Sequence, residues 1–412
     1  MSTLVGVADL GTYSTKVIIA DSGDRGKINI KGIGKSSLGL TNTRKPTDKP
    51  AKTAKALRVA MKRANEMACS QVNAICVGIG GNFIGFQRKN TTVSIRHEDN
   101  IIQNEDIDRL IELAREDGGP SGKNIVSATP YSYTVDGQGG VSDPVGMYGK
   151  RLDATIELAT APKTIVKDYE STARQAGLQI DNLIPNPTAI RNLFRDRLNT
   201  RSNQIVIDLG HNSSKLAIFE NCALSKHQTL PAGGKNLTGD LAAKLNIDGD
   251  QAEKIKHELS INDKSGVEKL KYTNYAGKTS KIESSEVRKV LTSRLKEIFD
   301  MLLSEIKDSG YSEILNNGVT IIGGVGNTSG LIDWLNRKYQ ENFKLGLVSS
   351  KITGLEDIIS NPAYTVSLSL LLEATSCRKT TSEQRSKNTT IETRFQTIRD
   401  KVQKLFTNVL EG

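Results

Sequence analysis

Residues 4–20 read LVGVADLGTYSTKVIIA. An apolar run climbs to Asp9, a small polar turn passes through Gly11, Thr12, Tyr13, Ser14, Thr15 and Lys16, and the apolar pattern resumes at Val17, which spells strand, turn and strand. The same grammar returns at residues 204–219, QIVIDLGHNSSKLAIF, where Asp208 and Leu209 lead through Gly210, His211, Asn212, Ser213, Ser214 and Lys215 into a second apolar run. Two copies about 200 residues apart predict a duplicated fold. A turn of small residues lets backbone N–H groups and hydroxyls approach phosphate oxygens with no Cβ in the way. The aspartates at the strand ends then stand where they can hold Mg²⁺ or its waters.

A third element, residues 319–335, runs VTII, GGVGNTSG, LIDWL: strand, glycine loop, helix start. The glycines permit close approach and the helix start offers free N–H groups, so this unit suits a nucleotide. It is neither a P-loop, since no Gly-Lys-Ser/Thr ends it, nor a GxGxxG turn.

The 412 residues allow two or three domains around a sizeable core. At 37% hydrophobic and 25% charged the composition is that of a globular protein, and the net charge of +10 favours anionic partners without naming them. No apolar run of membrane-spanning length and no secretory signal are found, so a chain kept inside the cell is expected. Cys69, Cys76, Cys222 and Cys377 are scattered and suggest neither zinc nor disulfides, as in a reducing cytoplasm. The four histidines, His97, His211, His227 and His257, have no nucleophile partner in sequence.

Helical periodicity predicts amphipathic helices over 53–67 (Ala56, Val59, Ala60, Met67 inward), 105–116 (Ile107, Leu110, Ile111, Ala114 inward) and 287–306. The last has a stripe of Val287, Val290, Leu291, Leu295, Ile298, Phe299, Leu302 and Ile306, with Arg288, Lys289, Arg294 and Lys296 elsewhere: a solvated basic face, or a docking surface. Residues 376–390, SCRKTTSEQRSKNTT, read as a flexible tether. Beyond it Ile391, Phe395, Ile398, Val402, Leu405, Phe406, Val409 and Leu410 repeat at helical spacing among Arg394, Arg399, Lys401 and Lys404. This helix of about 30 Å lies on a membrane or packs on protein, and the length of the tether favours the membrane interface.

With these motifs together the chain resembles the bacterial cell-division FtsA family of actin-like ATP-binding proteins nearly end to end. DLGTYSTKV (9–17) and IDLGHNSSKLAIF (207–219) resemble its two phosphate motifs, GGKNLTGDLAAKL (233–245) with AEKIK (252–256) its ribose segment, and TIIGGVGNTSGL (320–331) its adenosine motif. ITGLEDIISNPAYTVSLSLLLEA (352–374) resembles its returning connecting helix, and residues 74–159 the family's own 1C subdomain.

The resemblance implies an α/β, actin-like two-lobed fold of duplicated ribonuclease-H-like domains with an FtsA-type 1C subdomain and a C-terminal amphipathic helix. Its parts would be 1A at 1–81 and 161–202, 1C at 82–160, 2A at 203–231 and 318–350, and 2B at 232–317. A connecting helix at 351–375, a linker at 376–390 and a membrane-targeting helix at 391–412 would follow. ATP would be held by Gly11, Thr12, Tyr13, Ser14, Lys16, Asp208, Gly210, Asn212, Ser213, Ser214, Gly233, Gly234, Glu253, Lys256, Gly323, Gly324, Val325 and Gly326, with Asp9 and Asp208 near Mg²⁺, directly or through water.

The implied task is to tether FtsZ filaments to the cytoplasmic membrane at the division septum, as a peripheral protein on its inner face. The FtsZ C-terminal tail would bind 2B at Arg294, with Arg288 and Lys289 nearby, while Ser284 stands where a second arginine is expected. Anionic lipid would take Phe395, Ile398, Val402, Leu405, Phe406, Val409 and Leu410. The chain would assemble with itself and recruit later division proteins through 1C, with no nucleic-acid partner. Lys215 replaces the acid usual in the second phosphate loop, and IPNPTAI (184–190) offers no Gln or Glu to orient a water, so at most weak ATPase activity is expected. The alternatives are a pilus-assembly scaffold resembling PilM, a small-molecule kinase of the same superfamily, and a scaffold that has lost nucleotide.

Overall fold

The computed structural model describes residues 4–22, 27–38, 50–116, 119–194, 203–220, 223–262, 269–348 and 351–376. Cys222, Cys377, most of the tether and the helix expected at 391–412 lie outside these residues.

The chain begins with the antiparallel strands β1 (Leu4–Leu10), β2 (Ser14–Ser22) and β3 (Ile28–Ser37), then α1 (Pro50–Ala68) and β4 (Ala74–Ile79), which lies parallel to β1. An inserted unit follows: β5 (Gly85–Ser94), α2 (Asn104–Glu116), β6 (Lys123–Val135), β7 (Gln138–Val141) and β8 (Arg151–Pro162), with sheet order β5-β8-β6-β7. The chain returns through α3 (Lys163–Gln175), β9 (Gln179–Pro185) and α4 (Asn186–Ile190).

The second lobe repeats the plan with β10 (Gln204–Leu209), β11 (Ser214–Glu220) and β12 (Ala223–Leu230). It then adds α5 (Gly234–Leu245), α6 (Gly249–Glu258), the hairpin β13 (Lys269–Thr273) and β14 (Thr279–Glu283), and α7 (Ser284–Asp308). It closes with β15 (Val319–Ile322), α8 (Leu331–Tyr339) and β16 (Phe343–Leu345). After β17 (Ile352–Thr353) on the first sheet and the short α9 (Glu356–Ile359), residues 365–376 form α10.

The duplication is exact in strand direction. In the first sheet β3-β2-β1-β4-β9 and in the second β12-β11-β10-β15-β16 each run antiparallel, antiparallel, parallel, parallel. Side chains alternate along a strand. Ile205, Ile207 and Leu209 of β10 therefore enter the core under α5 to α8, whereas Val206 faces Val5, Val7, Ile18 and α10. Burial on both faces explains why these strands read as unbroken apolar runs.

Helix α7 buries Val287, Leu291, Leu295, Ile298, Phe299, Leu302 and Ile306, as its periodicity requires, with Val290 only half-buried. Helix α1 corrects the sequence reading. Met67 is exposed and Val59 half-buried, while Ala54, Ala56, Leu57, Ala60, Met61 and Ala64 face inward. The cause is β3: a Cβ at Gly34 would stand 1.8 Å from the Ala60 carbonyl oxygen and one at Gly32 2.1 Å from that of Ala64. Backbone meets backbone there, so the small residues form the contact line.

Candidate nucleotide site

Each hairpin turn is closed by one backbone bond, from Gly11 N–H to the Ser14 carbonyl (3.1 Å) and from Gly210 N–H to the Ser213 carbonyl (3.0 Å). Register sets Asp9 opposite Lys16 and Asp208 opposite Lys215. Both pairs are joined as ions: Lys16 Nζ donates to Asp9 Oδ2 at 3.2 Å and Lys215 Nζ to Asp208 Oδ2 at 2.7 Å. Burial alone would push the Lys215 ammonium down, but Asp208, with a contribution from Asp9, holds it above the ordinary lysine value. Lys35, opposite Lys16 in the β2–β3 register, is lowered by burial and by the charge of Lys16.

The turns meet. The ring of Tyr13 lies 4.7 Å from that of His211, and burial, reinforced by Lys256 and Lys235 against the pull of Glu253, brings His211 down to about 4, so it is neutral at pH 7. Helix α5 begins on the second turn, with Gly234 N–H donating to the Gly210 carbonyl (2.9 Å) and Lys235 N–H to that of His211 (2.8 Å). A Cβ at Gly233 would stand 2.5 Å from the Gly210 oxygen. Ser214 Oγ donates to the Ala232 carbonyl at 2.7 Å.

Glu253 and Lys256 sit one turn apart on α6 in a closed network. Lys256 Nζ donates to Glu253 Oε2 (2.6 Å) and Thr238 Oγ1 (2.9 Å), Thr238 Oγ1 also bonds Glu253, and His257 Nε2 lies 3.2 Å from Glu253 Oε1. Against the burial that raises it, these bonds bring Glu253 down to about 2. The pair adjoins the third motif, since the Cβ position at Gly234 is 3.6 Å from Lys256 Nζ and 2.9 Å from Val325 Cγ2. In that motif Gly323 adopts φ +92°, donates to the Pro362 carbonyl at 2.9 Å and leaves 2.5 Å between a would-be Cβ and Asp208 Oδ1. Val325 and Gly326 are buried and Gly324 is exposed.

Sequence reasoning missed three polar partners. Tyr364 sets its ring 5.5 Å from Lys16 Nζ, Ser367 Oγ donates to Asp9 Oδ2 at 3.3 Å, and Lys35 flanks Lys16. Buried Ser367 and Ser369 in an apolar helix were the only signal available.

The donor set does not suit a directly held Mg²⁺. Both strand-end carboxylates are already ion-paired, and no group of three metal-ligating side chains occurs among the described residues. A Mg²⁺ held through water at Asp9 and Asp208, as the resemblance implies, would have to share those carboxylates with Lys16 and Lys215.

The basic residues of α7 lie outside the cleft. Arg294 is bidentate to Asp240 of α5 (2.6 and 2.9 Å) and bonds Glu297 (2.6 Å), Lys289 bonds Glu286 (2.9 Å), and Lys296 bonds Asp300 (2.5 Å). Arg288 is half-buried. The face is a mosaic of ion pairs rather than a bare cationic stripe.

A family model described as "SHS2 domain inserted in FTSA" matches residues 81–160, and one described as "Cell division protein FtsA" matches 205–369. The chain belongs to the FtsA family. It is thus a cell-division protein of the actin-like ATPase superfamily. FtsA of Neisseria meningitidis serogroup B is 29% identical over 372 residues, 89% of each chain. FtsA of Bacillus subtilis is 31% identical over 252 residues, 61% of this chain and 57% of that one. Among solved structures, the PilM-PilN type IV pilus biogenesis complex aligns at TM-score 0.62 with 15% identity over 91% of this chain and 98% of that one. MreB5 of Spiroplasma citri bound to ADP aligns at 0.54 with 13% identity over 93% and 98%. At such identities the structures speak for the actin-like fold alone, while the FtsA assignment rests on the family models and relatives. Among the described residues no helix is long and apolar enough to cross a membrane.

Proposed function

We propose that the chain binds ATP between its lobes and, as a peripheral protein on the cytoplasmic face of the bacterial inner membrane at the septum, tethers FtsZ filaments there. The observation that carries the nucleotide reading is the convergence of two ion-paired hairpin turns with the Gly323 loop, which backs onto Asp208. Gly11 to Lys16 and Gly210 to Ser214 would wrap the phosphates, Glu253 and Lys256 face the ribose, and Gly323 to Gly326 cover adenosine. Asn186, Pro187, Thr188 and Ala189 of α4 carry no carboxylate to activate water, which supports ATP as an assembly ligand with weak or no hydrolysis.

In this reading residues 391–412 lie on anionic lipid, residues 232–317 take the FtsZ tail near Arg294, and residues 82–160 recruit later division proteins. The chain also assembles with itself. An acidic tail peptide reaching Arg294 competes with Asp240 for the guanidinium, so apolar anchors carry more of that contact than charge steering does.

The test is co-sedimentation with anionic liposomes, with and without ATP, of the full chain and of one ending at Thr390, each with a fluorescent FtsZ C-terminal peptide. Loss of pelleting on truncation, with peptide carried down only by the full chain, is the expected result. Equal pelleting of both chains, or of neither, overturns the tether.

A further inference from the structure

Beside the internally paired Glu253 and Lys256, the two turns and their neighbouring strand bring three lysines against two aspartates. Lys16 and Lys215 each pair with one of them, and Lys35 stands opposite Lys16 in the neighbouring strand. Asp208 is enclosed on both sides: Lys215 holds Oδ2 at 2.7 Å, and the Gly323 backbone comes so close to Oδ1 that a Cβ would be 2.5 Å away. Asp9 Oδ2 is shared by Lys16 and Ser367. A hydrated divalent ion therefore finds Asp208 Oδ2 already taken by Lys215 and meets ammonium groups on both turns, whose repulsion disfavours it.

The same arrangement suits bare phosphate. A lysine ammonium carries three N–H donors, so Lys215 can keep its bond to Asp208 and still donate to a phosphate oxygen. It sits one residue beyond the turn where the small residues Ser213 and Ser214 open the approach, and about a quarter of its side chain is exposed. Lys16 has the equivalent place in the first turn.

We infer that the cleft binds a nucleoside triphosphate in its metal-free form, the ammonium of Lys215, with that of Lys16 across the cleft, balancing the phosphate charge that a divalent cation would otherwise neutralise. This rests on the nucleotide reading above and assigns Lys215 as a phosphate-binding residue. An acid at that position would reverse the preference by adding negative charge beside Asp208.

The test is equilibrium binding of a fluorescent N-methylanthraniloyl ATP to the full chain, titrated in Mg²⁺ and, separately, in EDTA. The dissociation constants are expected to agree within about threefold. Lys215→Met should weaken binding in EDTA by about tenfold to a hundredfold, the worth of one charge-assisted hydrogen bond, and recover part of it in Mg²⁺ once Asp208 is bare. Lys215→Arg should keep the metal-independent binding. Thermal melts establish that each variant is folded, and if Lys215→Met is not, the wild-type comparison decides alone. Binding by the wild type that vanishes in EDTA overturns the inference and leaves the nucleotide reading standing. Lys215→Met that binds in EDTA as well as the wild type also overturns it. Binding in neither condition overturns the nucleotide reading itself.

Discussion

The two hairpin turns share one backbone plan and differ in what braces them. The first turn leans on the far end of the chain: Asp9 is held by Ser367 and Lys16 by the ring of Tyr364, both from the segment that returns from the second lobe. The second turn is braced within its own lobe, by the start of α5 on its carbonyls, by Ser214 on Ala232 and by Gly323 against Asp208. Its ion pair is correspondingly shorter, 2.7 against 3.2 Å. A duplicated motif can thus keep its hydrogen bonding while one copy is set locally and the other by long-range packing.

The contrast is broken hardest at Gly323. Valine there meets Asp208 Oδ1 and the Leu209 carbonyl at a φ of +92°, so about 3–5 kcal/mol of stability and all measurable nucleotide binding should be lost, as read by urea unfolding and titration.

Acid comes next and acts through the second lobe. His211 and His227, both with a buried Nε2 lacking a hydrogen bond, are brought by burial from the usual 6.5 to about 4. The unfolded chain takes up protons first, so their contribution is complete above pH 6.5 and is lost as the pH falls towards 4, at up to about 3 kcal/mol each. Glu253, brought from 4.5 to about 2, extends the loss below pH 4.5. Denaturation midpoints measured from pH 7.5 to 4 should fall, and His211→Gln should flatten that slope; an unchanged slope removes His211 from the account.

Asp208→Asn should cost about 2–3 kcal/mol by leaving Lys215 without its counter-charge, and Asp9→Asn about 1–2 kcal/mol, since its pair is longer. Equal costs in a denaturation series would mean that the bracing of the turns does not matter. The smallest effect belongs to Gly324→Ala, where a Cβ meets nothing within 4 Å; stability should stay within about 0.5 kcal/mol.

The hairpins were legible because their strands are apolar on both faces and their turns are written in small residues around Asp-Leu-Gly. Lys215 was legible as a misplaced positive charge, though only the register shows that it spends that charge on Asp208. What escaped depends on contacts between distant segments. The inward line of α1 is set by Gly32 and Gly34 of β3, so alanines outrank Met67. The basic face of α7 finds part of its acid, Asp240, on another helix, and Ser367 meets Asp9 from 358 positions away. No periodicity within one helix encodes such partners.

Helix α10 has a further bearing on how the molecule comes apart. Leu368, Leu370, Leu371 and Leu372 share one buried cluster with Val5, Val7 and Ile18 of the first sheet and Val206, Ala217 and Phe219 of the second. The lobes thus melt around a common wedge, and neither can lose its sheet without stripping apolar surface from the other. Heating should give them a single calorimetric transition, with the inserted sheet, which carries its own cluster around Leu110, Leu152 and Ile156, equipped to loosen ahead of it.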